Sequence, residues 1–260
     1  MAIDFKTLNS VLPFILDAKF PVLIRGRHGI GKSAIVYQIA KDRGLPVIER
    51  RASQMTEGDL LGLPKVEGNV TKWLAPEWLH QACNEPAILF LDEVDRATME
   101  FRQGIFELCD SRKIAGYTLH PDTLIFACVN GGEHGAQYQV GEFDPAELDR
   151  YTCFDVQPTV EDWLEWADGN VVEQVWDFIN QNHQHLEHKD DFEPNKVYPS
   201  RRSWVRLSDA LLSMGGEIKS TPVLYHLASS FIGFEGAVAF NDFVANYKKI
   251  VTVENILDEG

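Results

Sequence analysis

The sequence lacks the features that mark secreted and membrane proteins. No uninterrupted apolar segment approaches the roughly 20 residues that a membrane-spanning helix requires. The amino terminus has neither the basic start nor the apolar core of a secretion signal. These absences predict a cytoplasmic protein without a membrane segment.

Cysteine is scarce, and its spacing forms no pattern. The chain contains only Cys83, Cys109, Cys128 and Cys153, and no two of them form a C-x-x-C pair. This spacing disfavours a zinc site. The apolar or helical surroundings instead predict four reduced thiols that pack as small hydrophobic side chains.

Basic residues are also few. The chain has 24 Lys and Arg residues against 39 Asp and Glu residues, which gives a net charge of −15. After Gln157 the imbalance is 8 basic to 17 acidic residues. Because a duplex-binding face requires clustered Lys and Arg, a nucleic-acid partner is disfavoured. A local basic pore in an oligomer is still compatible with this composition.

The most informative segment is a glycine-rich loop between a predicted strand, Pro21–Arg25, and a predicted helix that begins near Lys32. The loop satisfies the pattern G-x-x-x-x-G-K-[ST] with Gly26, Arg27, His28, Gly29, Ile30, Gly31, Lys32 and Ser33. Glycines let the backbone direct several N–H groups at one anion, and the helix adds its positive end. Lys32 would reach the β- and γ-phosphates of a nucleotide, and the Ser33 hydroxyl would bind Mg²⁺.

A pair of carboxylates follows the next strongly apolar segment. Ala87–Leu91 predicts a strand buried on both faces of a parallel sheet, and Asp92 and Glu93 come directly after it. Asp92 would hold Mg²⁺, through water, and Glu93 would deprotonate a water for attack on the γ-phosphate. The alternative interpretation is that Asp92 and Glu93 only form a solvated strand end. The phosphate loop upstream makes this interpretation weaker than the catalytic one.

The order of predicted elements indicates the fold class. Strands and helices alternate up to Pro158, and only helices follow. This order predicts an α/β P-loop NTPase fold: a three-layer sandwich with a parallel sheet, followed by a C-terminal helical lid domain. We place the nucleotide-binding domain at residues 1–157 and the lid at residues 158–260.

Together these segments resemble the AAA+ ATPases, and the MoxR-type branch in particular. Gly26–Ser33 resembles the Walker A motif of that family, and Leu89–Ala97 resembles its Walker B motif. Asn130, which follows another buried strand, is similar to the sensor 1 asparagine that orients the attacking water. Phe143–Tyr151 resembles the acidic-Leu-Asp-Arg-Phe motif, in which Arg150 corresponds to an arginine finger acting on the neighbouring subunit's nucleotide. A local ion pair with Asp144 or Glu147 is the alternative role of Arg150.

A further segment, Tyr198–Ser203, resembles the sensor 2 motif at the start of a helix. By that spacing Arg202 is the sensor 2 arginine, and Arg201 stands where a proline is usual. Arg201 and Arg206 are the alternatives. The phosphate loop departs from the family pattern at Arg27 and His28, where Gly-x-Pro-Gly-x-Gly is usual.

The resemblance implies ATP and Mg²⁺ as ligands, and a homo-oligomer, in the form of a hexameric ring, that remodels or activates a client protein. It also implies a partner of the von Willebrand factor A type. The alternatives are a DNA-dependent AAA+ ATPase, such as a helicase or a loader, and a module that holds nucleotide without turnover. The presence of Glu93, Asn130 and Arg150 together argues against the last of these.

Overall fold

The computed structural model of the chain describes residues 2–130, 143–189, 192–215 and 217–257, with side chains up to residue 247. The glycine-rich segment that follows Asn130 in the sequence lies outside these ranges. The chain divides into two compact units, Met1–Gln157 and Pro158–Gly260. We refer to them as the first unit and the second unit.

The first unit is built on a parallel five-stranded sheet. In spatial order its strands are β2 (Val47–Arg51), β5 (Ile88–Asp92), β8 (Leu124–Val129), β1 (Val22–Arg25) and β9 (Thr152–Asp155). Because the strands run in parallel, the chain leaves β5, β8 and β1 at the same edge of the sheet, and these three strands are neighbours. The phosphate loop, the carboxylate pair and Asn130 all follow those three strand ends.

Both faces of the sheet are covered, which makes the first unit a three-layer sandwich. Along β5 the buried side chains alternate between two separate hydrophobic clusters: Leu89 and Leu91 belong to one, Ile88 and Phe90 to the other. This continuous burial explains why the strand reads as an unbroken apolar run. The helices of this unit are α1 (Phe5–Asp17), α2 (Lys32–Arg43), α3 (Glu57–Leu61), α4 (Glu77–Asn84), α5 (Met99–Ser111) and α6 (Pro145–Leu148).

Two antiparallel hairpins are inserted between these elements. The first pairs β3 (Leu63–Glu67) with β4 (Val70–Leu74), and the second pairs β6 (Lys113–Ile114) with β7 (Tyr117–Thr118). The first hairpin turns at Gly68, where φ is 61°. Its strands are almost entirely exposed.

The second unit is helical. It contains α7 (Val160–Ala167), α8 (Glu173–Gln181), α9 (Arg201–Met214) and α10 (Pro222–Leu257). Phe178, Trp204 and Phe240 are fully buried at its centre, with ring centroids 5.3 to 5.7 Å apart. The predicted fold class, a P-loop sandwich followed by helices, is confirmed.

By length and composition, one helix of the described chain could cross a membrane, namely Pro222–Tyr247 within α10. Gly233 interrupts the helical geometry of this segment with φ 74° and ψ 179°. A side chain there would meet the carbonyl oxygen of Val197 at 2.2 Å, so glycine is required. The residues that α10 contributes to the core of the second unit are Leu224, Ala228, Ile232, Ala237, Phe240 and Val244.

Candidate functional site

The phosphate loop connects β1 to α2, and its glycines are required by geometry. Gly29 and Gly31 have φ values of 74° and 105°, in the left-handed region that favours glycine. A Cβ on Gly26 would lie 2.6 Å from the Val156 carbonyl oxygen and 2.6 Å from the Ile30 side chain. The helix that follows begins at Lys32. The loop therefore has the curled backbone and helix start that bind anions.

Lys32 is buried at the base of this loop, with 8% of its surface exposed. Its Nζ donates hydrogen bonds to the carbonyl oxygens of Gly26 and Arg27, at 2.7 and 2.8 Å, and to Oδ1 of Asn130, at 2.9 Å. These contacts join the loop after β1 to the residue that follows β8. They also fix the ammonium beside the loop, where a phosphate would be held.

The remaining loop side chains have different surroundings. Ile30 is buried in the hydrophobic cluster on the α1 and α2 side of the sheet. His28 is exposed, and Arg27 is partly buried. The loop would therefore contact phosphate mainly through its backbone and Lys32.

The carboxylate pair lies at the end of β5. Glu93 adopts the left-handed conformation, with φ 56° and ψ 39°, and its N–H donates to Oδ1 of Asp92 at 2.9 Å. Its Oε2 accepts a hydrogen bond from the Ser53 hydroxyl at 2.5 Å. Ser53 follows β2, the edge neighbour of β5, and is a contact that the sequence analysis missed. No motif marks it, because it depends on the pairing of these two strands.

The electrostatics of this strand end favour a bound cation. Burial raises the pKa of the Asp92 carboxyl, and the negative charges of Glu93 and Glu49 raise it further. The hydrogen bond from Glu93 and the charge of Lys32 act in the opposite direction. A divalent cation would relieve this crowding of negative charge.

The available oxygen donors suit Mg²⁺, which is commonly bound by one or two carboxylates together with water and substrate phosphates. Ser33 and Asp92 supply a hydroxyl and a carboxylate. Within the described residues, no group of three His, Cys, Asp or Glu side chains could hold a metal. Water and the phosphates of a nucleotide would complete the coordination.

Asp95 is a second residue that the sequence analysis missed. It is 2% exposed, and its Oδ2 accepts a hydrogen bond from the backbone N–H of Asn130 at 2.9 Å. Burial raises the pKa of its carboxyl group. Asp95, Asn130 and Lys32 thus form a continuous series of hydrogen bonds from the turn after β5 to the phosphate loop.

Arg150 lies elsewhere in the first unit, just after α6. Its Nε donates to Oδ2 of Asp110 at 2.9 Å, its Nη1 donates to the carbonyl oxygen of Ala146, and its guanidinium carbon lies 4.9 Å from the centre of the Phe106 ring. The local partners considered from the sequence were wrong. Asp144 caps the start of α6, and Glu147 forms a buried ion pair with Arg102 at 3.4 Å.

The two arginines at the start of α9 differ sharply in burial. Arg201 is 4% exposed and donates to the carbonyl oxygens of Pro158 and Thr159, at 2.7 and 2.8 Å. Arg202, the next residue, is exposed. The guanidinium of Arg201 is therefore occupied inside the second unit, whereas Arg202 is accessible to a ligand.

The fold and this arrangement of residues define a P-loop NTPase. Residues 21–126 match the AAA domain of the dynein-related subfamily. The protein CbbQ of Hydrogenophilus thermoluteolus is 31% identical over 126 residues, which cover 45% of this chain and 47% of that protein. The protein NorQ of Paracoccus denitrificans is 33% identical over 95 residues, which cover 36% of this chain and 35% of that protein.

Over this region the chain is therefore similar to AAA+ ATPases, and in particular to the MoxR-type proteins CbbQ and NorQ. It spans about half or less of the length of the curated relatives that it matches. Midasin of Giardia intestinalis is 32% identical over 124 residues, which make up only 2% of that protein. Among solved structures, the RuvB P216G mutant of Thermotoga maritima has a TM-score of 0.52 and 14% identity, covering 91% of this chain and 68% of that one. This likeness concerns the fold alone.

Proposed function

We propose that the chain binds ATP with Mg²⁺ and hydrolyses it, and that it works as a ring-forming homo-oligomer, a hexamer, that remodels or activates a partner protein. The observation that carries the proposal is the convergence of Lys32, Asn130, Asp92 and Glu93. They lie at or beyond the carboxyl ends of three adjacent parallel strands. Lys32 donates a hydrogen bond to Asn130, and the backbone N–H of Asn130 donates to Asp95, in the turn that follows Asp92 and Glu93.

Each of these residues has a distinct role in phosphoryl transfer. Lys32 and the loop backbone would bind the β- and γ-phosphates, and Ser33 and Asp92 would hold Mg²⁺, which would offset the phosphate charge. Glu93 accepts the proton of the attacking water, and Asn130 orients that water. The hydrogen bond between Lys32 and Asn130 supports this assignment, since it brings the phosphate-binding ammonium beside the water-orienting amide.

The contacts of Arg150 are an argument for the proposed oligomer. Its contacts are with Asp110, Ala146 and Phe106, none of which belongs to the phosphate site of its own chain. Phosphoryl transfer is commonly accelerated by an arginine supplied from another molecule. We therefore assign Arg150 to the nucleotide of a neighbouring copy, and Arg202 to the sensor 2 position.

The client, and a partner of the von Willebrand factor A type, follow from the MoxR-like family resemblance. The similarity to CbbQ and NorQ in the matched regions supports the resemblance on which this partner is proposed. The acidic balance of the chain supports a protein client over nucleic acid. A cytoplasmic location is part of the same proposal and rests on the family resemblance.

The primary test is ATP hydrolysis by the purified chain and by two variants. Lys32→Ala should lose nucleotide binding, whereas Glu93→Gln should bind ATP but hydrolyse it at least ~100-fold more slowly, as expected for loss of a general base. Light scattering of Glu93→Gln in ATP would reveal the assembly, and affinity capture with mass spectrometry would identify the partner. If the purified chain has no affinity for adenine nucleotides, the proposal is wrong.

The DNA-dependent alternative has its own assay. Stimulation of ATP hydrolysis by DNA at low salt, lost at high salt, would favour a helicase or loader. Nucleotide that stays unhydrolysed after long incubation would instead favour a binding module.

A further inference from the structure

The guanidinium of Arg150 is held by helix α5 as well as by its own segment. Asp110, near the end of α5, accepts from Nε at 2.9 Å, and the ring of Phe106, one turn earlier, lies 4.9 Å from the guanidinium carbon. The Arg150 side chain nevertheless remains 30% exposed. The guanidinium of Arg150 is thus held along one edge by Asp110 and on one face by Phe106, and the side chain is still accessible.

The backbone that carries Arg150 is fixed to the same helix by a separate contact. Arg102, in the first turn of α5, forms an ion pair with Glu147 of α6 at 3.4 Å, and both side chains are more than 90% buried. Glu147 also accepts from the N–H of Asp144, which closes the capping box of α6. The buried pair of Arg102 and Glu147 therefore positions the backbone of the α6 segment. Asp110 contacts only the side chain of Arg150.

The ion pair between Arg150 and Asp110 is expected to contribute little to the free energy of unfolding. Asp110 is 51% exposed in this ion pair, and exposed ion pairs contribute little to folding. Its geometric effect is larger, because a guanidinium is a rigid planar fork. The bonds to Asp110 and Ala146 use Nε and Nη1, so they set the plane and direction of the whole group.

We propose that Asp110, supported by Phe106, is a positioning residue that orients Arg150 toward the nucleotide of a second copy of this chain. The inference rests on the proposed function, in which Arg150 acts on the neighbouring phosphate. Asp110 does not contact the reacting atoms. It raises the rate by reducing the conformational freedom that Arg150 would lose in the transition state.

The test compares kcat and KM for ATP hydrolysis in full-length variants. Asp110→Ala should lower kcat by roughly 10- to 100-fold, the scale of a misplaced catalytic group, without changing KM. Asp110→Asn should fall between the parent and Asp110→Ala, because the amide oxygen still accepts from Nε. Asp17→Ala is the matched control, since Asp17 forms a comparable exposed pair with Arg43, whose side chain is also 30% exposed. It should hydrolyse at the parental rate.

A double variant separates the possible outcomes. If Asp110 acts through Arg150, then Arg150→Ala with Asp110→Ala should be no slower than Arg150→Ala alone. An additive loss would overturn the inference, as would a parental or faster rate for Asp110→Ala when Arg150→Ala is slow. A parental rate for Arg150→Ala would instead refute the role of Arg150 itself, and with it that part of the proposed function.

Discussion

The hydroxyl of Ser53 donates a hydrogen bond to Oε2 of Glu93 at 2.5 Å. Ser53 lies just after β2, and Glu93 just after the neighbouring strand β5, so the contact depends on the pairing of the two strands. The hydroxyl holds this carboxylate oxygen in one position. In this arrangement Glu93 is restrained by a residue outside the phosphate loop.

Replacing Ser53 with Ala should therefore raise the basal rate of ATP hydrolysis severalfold while leaving KM for ATP unchanged. The freed carboxylate of Glu93 can turn toward the attacking water. Steady-state kinetics would measure the effect, with Ser53→Thr as the control that keeps the hydroxyl. A fall in kcat for Ser53→Ala would mean that the hydrogen bond orients Glu93 for catalysis.

Asp95 should make stability depend on pH. Burial raises the pKa of its carboxyl in the folded chain above the ordinary value of 3.8. The folded state thus binds the proton more tightly than the unfolded state. Protonated Asp95 therefore makes its full contribution to the free energy of unfolding below pH 3.8. This contribution is lost as the pH rises through the folded-state pKa of Asp95.

Asp95→Asn should consequently raise the free energy of unfolding at neutral pH, because it removes a buried charge while keeping an acceptor for the N–H of Asn130. Its advantage over the parent should shrink as the pH is lowered toward 3.8. Urea unfolding at several pH values would measure this, with Asp17→Asn as the exposed control. An advantage that does not vary with pH would contradict the expectation.

The buried pair of Arg102 and Glu147 predicts a large effect for single replacements. Arg102→Met should lower the free energy of unfolding by about 3 kcal/mol, since it leaves the Glu147 carboxylate buried without its partner. Arg102→Met combined with Glu147→Gln should recover most of this loss, because the glutamine is neutral and can still cap α6. Denaturant unfolding would measure both variants. Equal instability of the single and double variants would rule out the ion pair as the cause.

Replacement of the two neighbouring arginines of α9 should have different effects: one replacement should affect stability and the other ATP hydrolysis. Arg201→Ala should lower the unfolding temperature, because the Pro158 and Thr159 carbonyl oxygens lose buried donors. Arg202→Ala should leave the unfolding temperature near that of the parent and reduce ATP hydrolysis. Thermal unfolding and an ATPase assay on the same samples would test both expectations. The opposite pattern would reassign sensor 2 to Arg201.

Local patterns were sufficient to predict the elements that carry the site. The apolar runs before Gly26 and Asp92 predicted strands because both faces of the sheet are covered, which leaves no alternation in hydrophobicity. The glycines of the phosphate loop were predictable because their backbone angles exclude other residues. In both cases the pattern that allows the prediction lies within a few consecutive residues.

Contacts between distant parts of the chain were not predictable in the same way. Asp110 belongs to none of the motifs in the sequence, yet its carboxylate accepts a hydrogen bond from the guanidinium of Arg150, 40 residues later. The sequence offered Asp144 and Glu147 as alternative partners of Arg150, but these two residues are engaged in the α6 cap and in the pair with Arg102. Which of several carboxylates pairs with a given guanidinium depends on how the helices pack. The spacing of these residues along the sequence does not reveal that packing.

The sequence by itself determined the fold class, the phosphate loop and the acidic strand end, because each is dictated by backbone geometry or by the burial of a short segment. Only the tertiary structure decided that Ser53 restrains Glu93, that Asp95 supports Asn130, and that Arg201 is enclosed while Arg202 is exposed. The physical reason is that hydrogen bonds and burial at these positions depend on which strands and helices become neighbours.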